Sequence, residues 1–177
     1  WRDAGYGRIM AFLNAAPNWP LTETLNKQAE RALYGEGQSA TVIMAHFANR
    51  KPATPEGMLA LARAHLAQGN GGEGQRWLTR AWLSADMDAA LEKSALSEFG
   101  GMLSADQRRQ RVWRLVYAQE SNAALRNARR LGPDMVRAAT VAQTLLRGAG
   151  GAEKQYNGLP ASYRSEGALK YALARMY

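Results

Sequence analysis

The chain contains no cysteine, so it has neither a disulfide nor a thiolate to serve as ligand or nucleophile. That absence alone leaves the compartment open. There are two histidines, His46 and His65, each within an apolar helical pattern. Neither has a second histidine or a carboxylate three or four residues away. Zinc takes three or four ligands, so no metal site is assigned, and both rings read as core or groove histidines. Nothing pairs a histidine with a serine and an aspartate as a nucleophilic triad needs. Gly69-Asn70-Gly71-Gly72 lies between helical segments, follows no strand and lacks the lysine of a phosphate-binding loop. No cofactor is therefore assigned. No apolar run approaches the roughly 20 residues of a membrane span, and no signal peptide is present. The first residue is Trp1, which points to a processed form or an excised piece. β-Branched residues are few, and no stretch reads as a strand.

What is present favours helix. The 177 residues are 46% apolar, the ordinary globular level, and Ala, Leu, Arg, Gln and Glu dominate. One domain over residues 1–177 is expected. Lysine and arginine number 23 against 15 acidic residues, a net charge of +8. Such a balance suits an anionic partner: nucleic acid, a membrane surface or an acidic polymer. It is equally the mark of an arginine-rich solvated surface. Nucleic-acid recognition calls for a known motif or interleaved aromatics. Neither is found, and no nucleic acid is expected as a partner.

The stretch Pro55–Trp82 organises the rest. Thr54 suits an N-cap and Pro55 the first helical position. Met58, Leu59, Ala62 and Leu66 recur at helical spacing. Gly69 stops the helix, Asn70-Gly71-Gly72 turns, and Trp77, Leu78, Ala81 and Trp82 return against the first helix. Ala60, Ala62, Ala64 and Ala67 let the two backbones approach. Similar helices are expected over 5–16, from Thr22 as candidate N-cap to Tyr34, from Ser39 to about Phe47 and from about Asp88 to Phe99. Others follow after Ser104, after Ser121, from Asp134 to Leu146 and from Glu166 to Tyr177. Gly35, Gly69, Gly100 and Gly132 end hairpins 34, 31 and 32 residues apart. A helix-pair period in the low thirties marks a tetratricopeptide-like solenoid. The fold class read here is all-α, a right-handed superhelix of stacked antiparallel helix pairs. Leu169, Tyr171, Ala172, Leu173 and Met176 give the last helix an apolar face, which suggests that the chain continues past Tyr177.

Two groups of side chains invite a functional reading. The tryptophans are Trp1, Trp19, Trp77, Trp82 and Trp113. They act as core spacers between helix pairs or as sugar-stacking platforms, and burial is the commoner fate of large aromatics. The basic clusters are Arg108, Arg109, Arg111 and Arg114, then Arg126, Arg129 and Arg130. On the outward faces of adjacent helices they form either an anion- or glycan-facing stripe or a solvated face.

A succession of short segments carries a family resemblance. It runs from Phe12–Pro17 and Asn18-Trp19-Pro20 through Arg31-Ala32-Leu33 to Phe47 before Pro52. It continues with Gly57–Gly69, Arg80-Ala81-Trp82, Arg114–Ala118 and Ala128–Gly132. Together these resemble the N-terminal helical region of soluble lytic murein transglycosylases of alphaproteobacterial type, over nearly the whole chain. The resemblance implies a U- or ring-shaped superhelix, a periplasmic location, and a separate lysozyme-like domain in the parent chain. The partners it implies are peptidoglycan glycan strands and that catalytic domain. By the same resemblance the parent is expected to cleave between N-acetylmuramic acid and N-acetylglucosamine with one glutamate as acid and base, leaving a 1,6-anhydro product. Glu120-Ser121 matches the dipeptide at that glutamate. The downstream parts of the motif are missing, however, and Gln155-Tyr156-Asn157 is only a partial echo, so no catalytic residue is carried over. The runner-up is a tetratricopeptide-like adaptor that grips a peptide in a groove lined by His46, His65 or tyrosines.

Overall fold

The computed structural model describes residues 4–177; Trp1 lies outside them. Among the described residues every regular element is helical, with twelve α-helices, one 3-10 turn and no strand. The all-α class follows. Where the sequence reads as one domain over 1–177, the described residues fall into two compact units. One comprises residues 4–82 with Asp86–Met102, the other Leu83–Ala85 with Leu103–Tyr177.

The first unit contains α1 (Tyr6–Ala15), α2 (Thr22–Gly35), α3 (Ala40–Phe47), α4 (Pro55–Ala67), α5 (Gly71–Trp82) and α6 (Ala89–Phe99). Its hub is α4, which packs on α2, α3 and α5. Pro55, Gly57, Leu59, Ala60, Leu61, Ala62 and Ala64 are all buried, so α4 is apolar nearly all round, as a central helix must be. Thr54 caps it, its Oγ1 accepting from Gly57 N at 3.0 Å. Gly69 turns the chain at φ +77°. The α4–α5 hairpin is tight at Gly74, which faces Ala62 and Leu66 of α4. A Cβ at Gly74 would lie 2.7 Å from Leu66 Cγ and 3.2 Å from the Ala62 carbonyl.

The α2–α4 contact is fixed by a carboxylate. Glu30 is 3% exposed and accepts from Ala53 N at 2.9 and 3.0 Å, Thr54 N at 2.8 Å and Thr54 Oγ1 at 2.6 Å. It thereby fills donors at the start of α4 and meets the positive end of that helix. At the other end of the unit, Ile9, Leu13, Leu25 and Ala29 join α1 to α2.

The second unit contains α7 (Ala105–Tyr117), α8 (Ser121–Ala128), α9 (Pro133–Leu146), α10 (Ala152–Asn157), α11 (Ala161–Arg164) and α12 (Gly167–Met176). Ser104 and Gln107 form a reciprocal capping box at α7. α12 packs on both α9 and α7. Ala168, Leu169 and Ala172 are buried in the same cluster as Val112, Val116, Ala142 and Leu145, with Leu173 and Met176 packed against it. The apolar face of the last helix is thus covered within its own unit, and the sign of a missing neighbour drawn from that face is withdrawn.

Local expectations fail in three places. Thr22 does not cap α2; its hydroxyl donates back to the Trp19 carbonyl at 2.6 Å, and Leu21 holds the cap position. Ser121 is the first residue of α8, with Glu120 at the cap. The four periodic glycines are not equivalent. Gly69 and Gly132 adopt positive φ, whereas Gly37 takes that role in place of Gly35. Gly100 is right-handed and opens the 3-10 turn. Their even spacing therefore does not mark one repeated structural position.

Candidate functional site

A concavity that combines apolar walls with charge lies in the first unit. Met44 and Phe47 come from α3, residues 48–52 from the connection to α4, Leu61 and His65 from α4 and Trp77 from α5. The volume is about 540 Å3, within the range of ligand sites. Local sequence explains the placement. Leu61 and His65, one helical turn apart, share a face of α4, and the Gly69 turn brings Trp77 back against that face. Pro52 lies within the α3–α4 connection, so Arg50 and Lys51 stand at the rim on non-helical backbone.

The electrostatics of the groove are one-sided. None of its lining residues is acidic. Arg50 is exposed and donates from Nη1 to the neutral Asn26 Oδ1 at 3.0 Å. Outside the groove lining, Arg80 places its guanidinium 5.0 Å from the centre of the Trp77 ring. A cation therefore covers a face of that indole. His65 Nδ1 is buried without a hydrogen-bond partner.

His46 does not line this groove. It is 6% exposed, lies 3.2 Å from the Tyr6 hydroxyl through Nδ1, and sets its ring edge-on to Phe47 at 4.7 Å. Burial, and after it the Arg50 charge, pushes its pKa down to about 4. The ring is neutral at physiological pH and acts as core. Of the two histidines read as groove candidates, His65 lines this groove and His46 does not. Among the described residues no three metal-ligating side chains converge, and no helix is long and apolar enough to cross a membrane.

The two arginine clusters do not form one stripe. Successive α-helical residues step by about 100°, so Arg108, Arg109, Arg111 and Arg114 cannot share a face. Arg111 is fully buried and donates from Nη1 to the Ser84 carbonyl at 3.0 Å. Arg109 grips Glu166 with Nε at 3.1 Å and Nη2 at 2.5 Å and lies over the Tyr163 ring. Arg108 donates to the Leu103 carbonyl at 3.3 Å. Arg114, Arg129 and Arg130 are exposed and Arg126 is half-buried. Arg130 reaches Asn127 Oδ1 at 3.4 Å. Three of the seven thus serve packing inside the second unit.

The tryptophans also divide. Trp82 and Trp113 are buried, Trp77 lines the groove, and Trp19 is 49% exposed with Phe12 edge-on at 5.6 Å. Glu120 is exposed at the start of α8, after Gln119 at φ 61°. It sits at an open corner and lines none of the concavities described here.

A second cluster in the first unit escaped sequence reading. Arg63 holds Glu98 with Nε at 2.5 Å and Nη2 at 2.7 Å, and its Nη1 reaches the Tyr34 carbonyl at 3.2 Å. The Tyr34 hydroxyl donates to Glu98 at 3.1 Å. Burial, and then Glu98, pushes the Tyr34 pKa upward, while Glu98 raises that of Arg63. Each group answers another, so the cluster pins α2, α4 and α6 together. Arg50 and Lys51 were also missed: Asn49-Arg50-Lys51-Pro52 reads in sequence only as a helix stop. Two adjacent cations before a proline were the available signal. No known protein family, curated protein or solved structure matches this chain.

Proposed function

We propose that the chain is a non-catalytic helical scaffold of a peptidoglycan lytic transglycosylase, working in the periplasm beside a catalytic domain of the parent chain. The observation that carries this reading is where the family-like segments fall. Asn18-Trp19-Pro20 is the corner between α1 and α2, Phe47 closes α3 before Pro52, and Gly57–Gly69 spans α4 and its stop. Arg80-Ala81-Trp82 closes α5, Arg114–Ala118 closes α7, and Ala128–Gly132 links α8 to α9. The segments are the junctions and core contacts of a helical framework, which is what a scaffold of that family would share. The packed pairs of successive helices α4–α5 and α7–α8 are compatible with a superhelix of tetratricopeptide type. The net charge of +8 suits an anionic wall polymer.

Sedimentation with purified peptidoglycan sacculi tests this. The chain should pellet with sacculi at low salt and be released as salt screens the charges, and it should not clear a turbid sacculus suspension. Failure to pellet at any salt concentration sinks the reading. Clearing that disappears in Glu120→Gln overturns the non-catalytic part of it.

A further inference from the structure

We propose that the α3–α5 groove is a docking site for a short acidic peptide segment of a protein partner. In this arrangement the carboxylates lie at Arg50 and Lys51 and an apolar side chain rests against Met44, Leu61 and Trp77. The inference goes beyond the scaffold role and does not depend on it.

Charge complementarity selects the occupant. Four cations of the first unit have carboxylate partners: Lys27 with Glu23, Arg31 with Glu56, Arg63 with Glu98 and Arg76 with Glu73. Arg50 and Lys51 have none among the described residues, and no acid lines the groove beneath them. Lysine and arginine only donate hydrogen bonds, and an ionised carboxylate only accepts them. A donor-only rim therefore fits an acceptor-only ligand. A sugar, whose hydroxyls both donate and accept, fits less well, because besides the two cations only Asn49, His65 and Trp77 line the groove with side chains that can hydrogen-bond. An extended peptide turns successive side chains to opposite sides. Alternate acidic and apolar residues would thus reach the rim and the floor of a groove this size.

The test uses the whole chain and a fluorescein-labelled peptide alternating Glu and Leu, followed by anisotropy. Saturable binding is expected, weakened by salt, and reduced about tenfold or more in Arg50→Glu/Lys51→Glu, which is about 1.4 kcal/mol. Both positions are exposed and the bond from Arg50 to Asn26 is a surface one, so the variant should stay folded and melt close to the wild-type temperature. No saturable binding, equal binding of a Lys-Leu peptide, or wild-type affinity in the double variant overturns the proposal. So does displacement of the peptide by an N-acetylglucosamine oligomer, since the groove would then be a sugar site. Sacculus sedimentation of the same variant separates the two readings. Peptide binding lost with sacculus binding kept supports the docking site. A chain that binds the peptide and never pellets with sacculi loses the scaffold role alone.

Discussion

Glu30 is the side chain whose loss should cost the first unit most for its size. Its carboxylate is 3% exposed and faces three donors: Ala53 N, Thr54 N and Thr54 Oγ1. Hydrogen bonds to a charged group contribute about 1.5–3 kcal/mol each, and a buried donor left without a partner costs about 1–3 kcal/mol. In Glu30→Ala three donors lose their acceptor. Water entering the vacated space recovers part of that, which leaves a loss of about 4 kcal/mol. Glu30→Gln keeps one oxygen for the Thr54 donors but turns an NH2 towards the Ala53 N–H. Loss of charge assistance on the remaining bonds should cost about 2–3 kcal/mol. Domains of this kind carry about 5–15 kcal/mol in total, so both losses lie well within measurement. Urea unfolding followed by far-UV circular dichroism reads them. Gly57 supplies an internal control, because a Cβ there would overlap the Glu30 carboxylate. Gly57→Ala should destabilise the wild type, and much of that cost should vanish in the Glu30→Ala background, a coupling that a double-mutant cycle measures. A loss below about 1 kcal/mol for Glu30→Ala refutes the assignment, given the magnitudes above.

Two further outcomes follow from the same unit. Gly74→Ala should cost about 1–3 kcal/mol through overpacking against Leu66 and the Ala62 carbonyl; a thermal melt unchanged from wild type would show that the hairpin opens freely. His46 titrates at about 4 when folded and near 6.5 when unfolded. The unfolded chain therefore takes up the proton first on acidification. The contribution to stability is complete above pH 6.5 and is lost as pH falls towards about 4, with a ceiling of about 3 kcal/mol. Urea midpoints measured from pH 7 to pH 4 should decline along a limb that His46→Leu flattens; an identical decline in that variant would place the titration elsewhere.

The sequence by itself determined the helical class, most helix ends and the α4–α5 hairpin. Those features depend on interactions within a few residues: the Thr54 and Ser104 caps, Pro55 at the first position of α4, Gly69 at positive φ, and the apolar stripe on α4. Spacing between distant glycines was a poorer guide, since Gly100 and Gly69 share an identity and not a conformation. Only the tertiary structure decided which charges are free. Arg111 reads as an outward residue on α7 and is buried, whereas Arg50 and Lys51 read as a helix stop and rim the groove. It also decided that α12 is covered by α7 and α9. A helical pattern states which residues share a face, but not what lies opposite that face. Burial, pairing and enclosure depend on residues tens of positions away, as with Glu30 and Thr54 or Arg109 and Glu166, and only the packed chain brings such residues together.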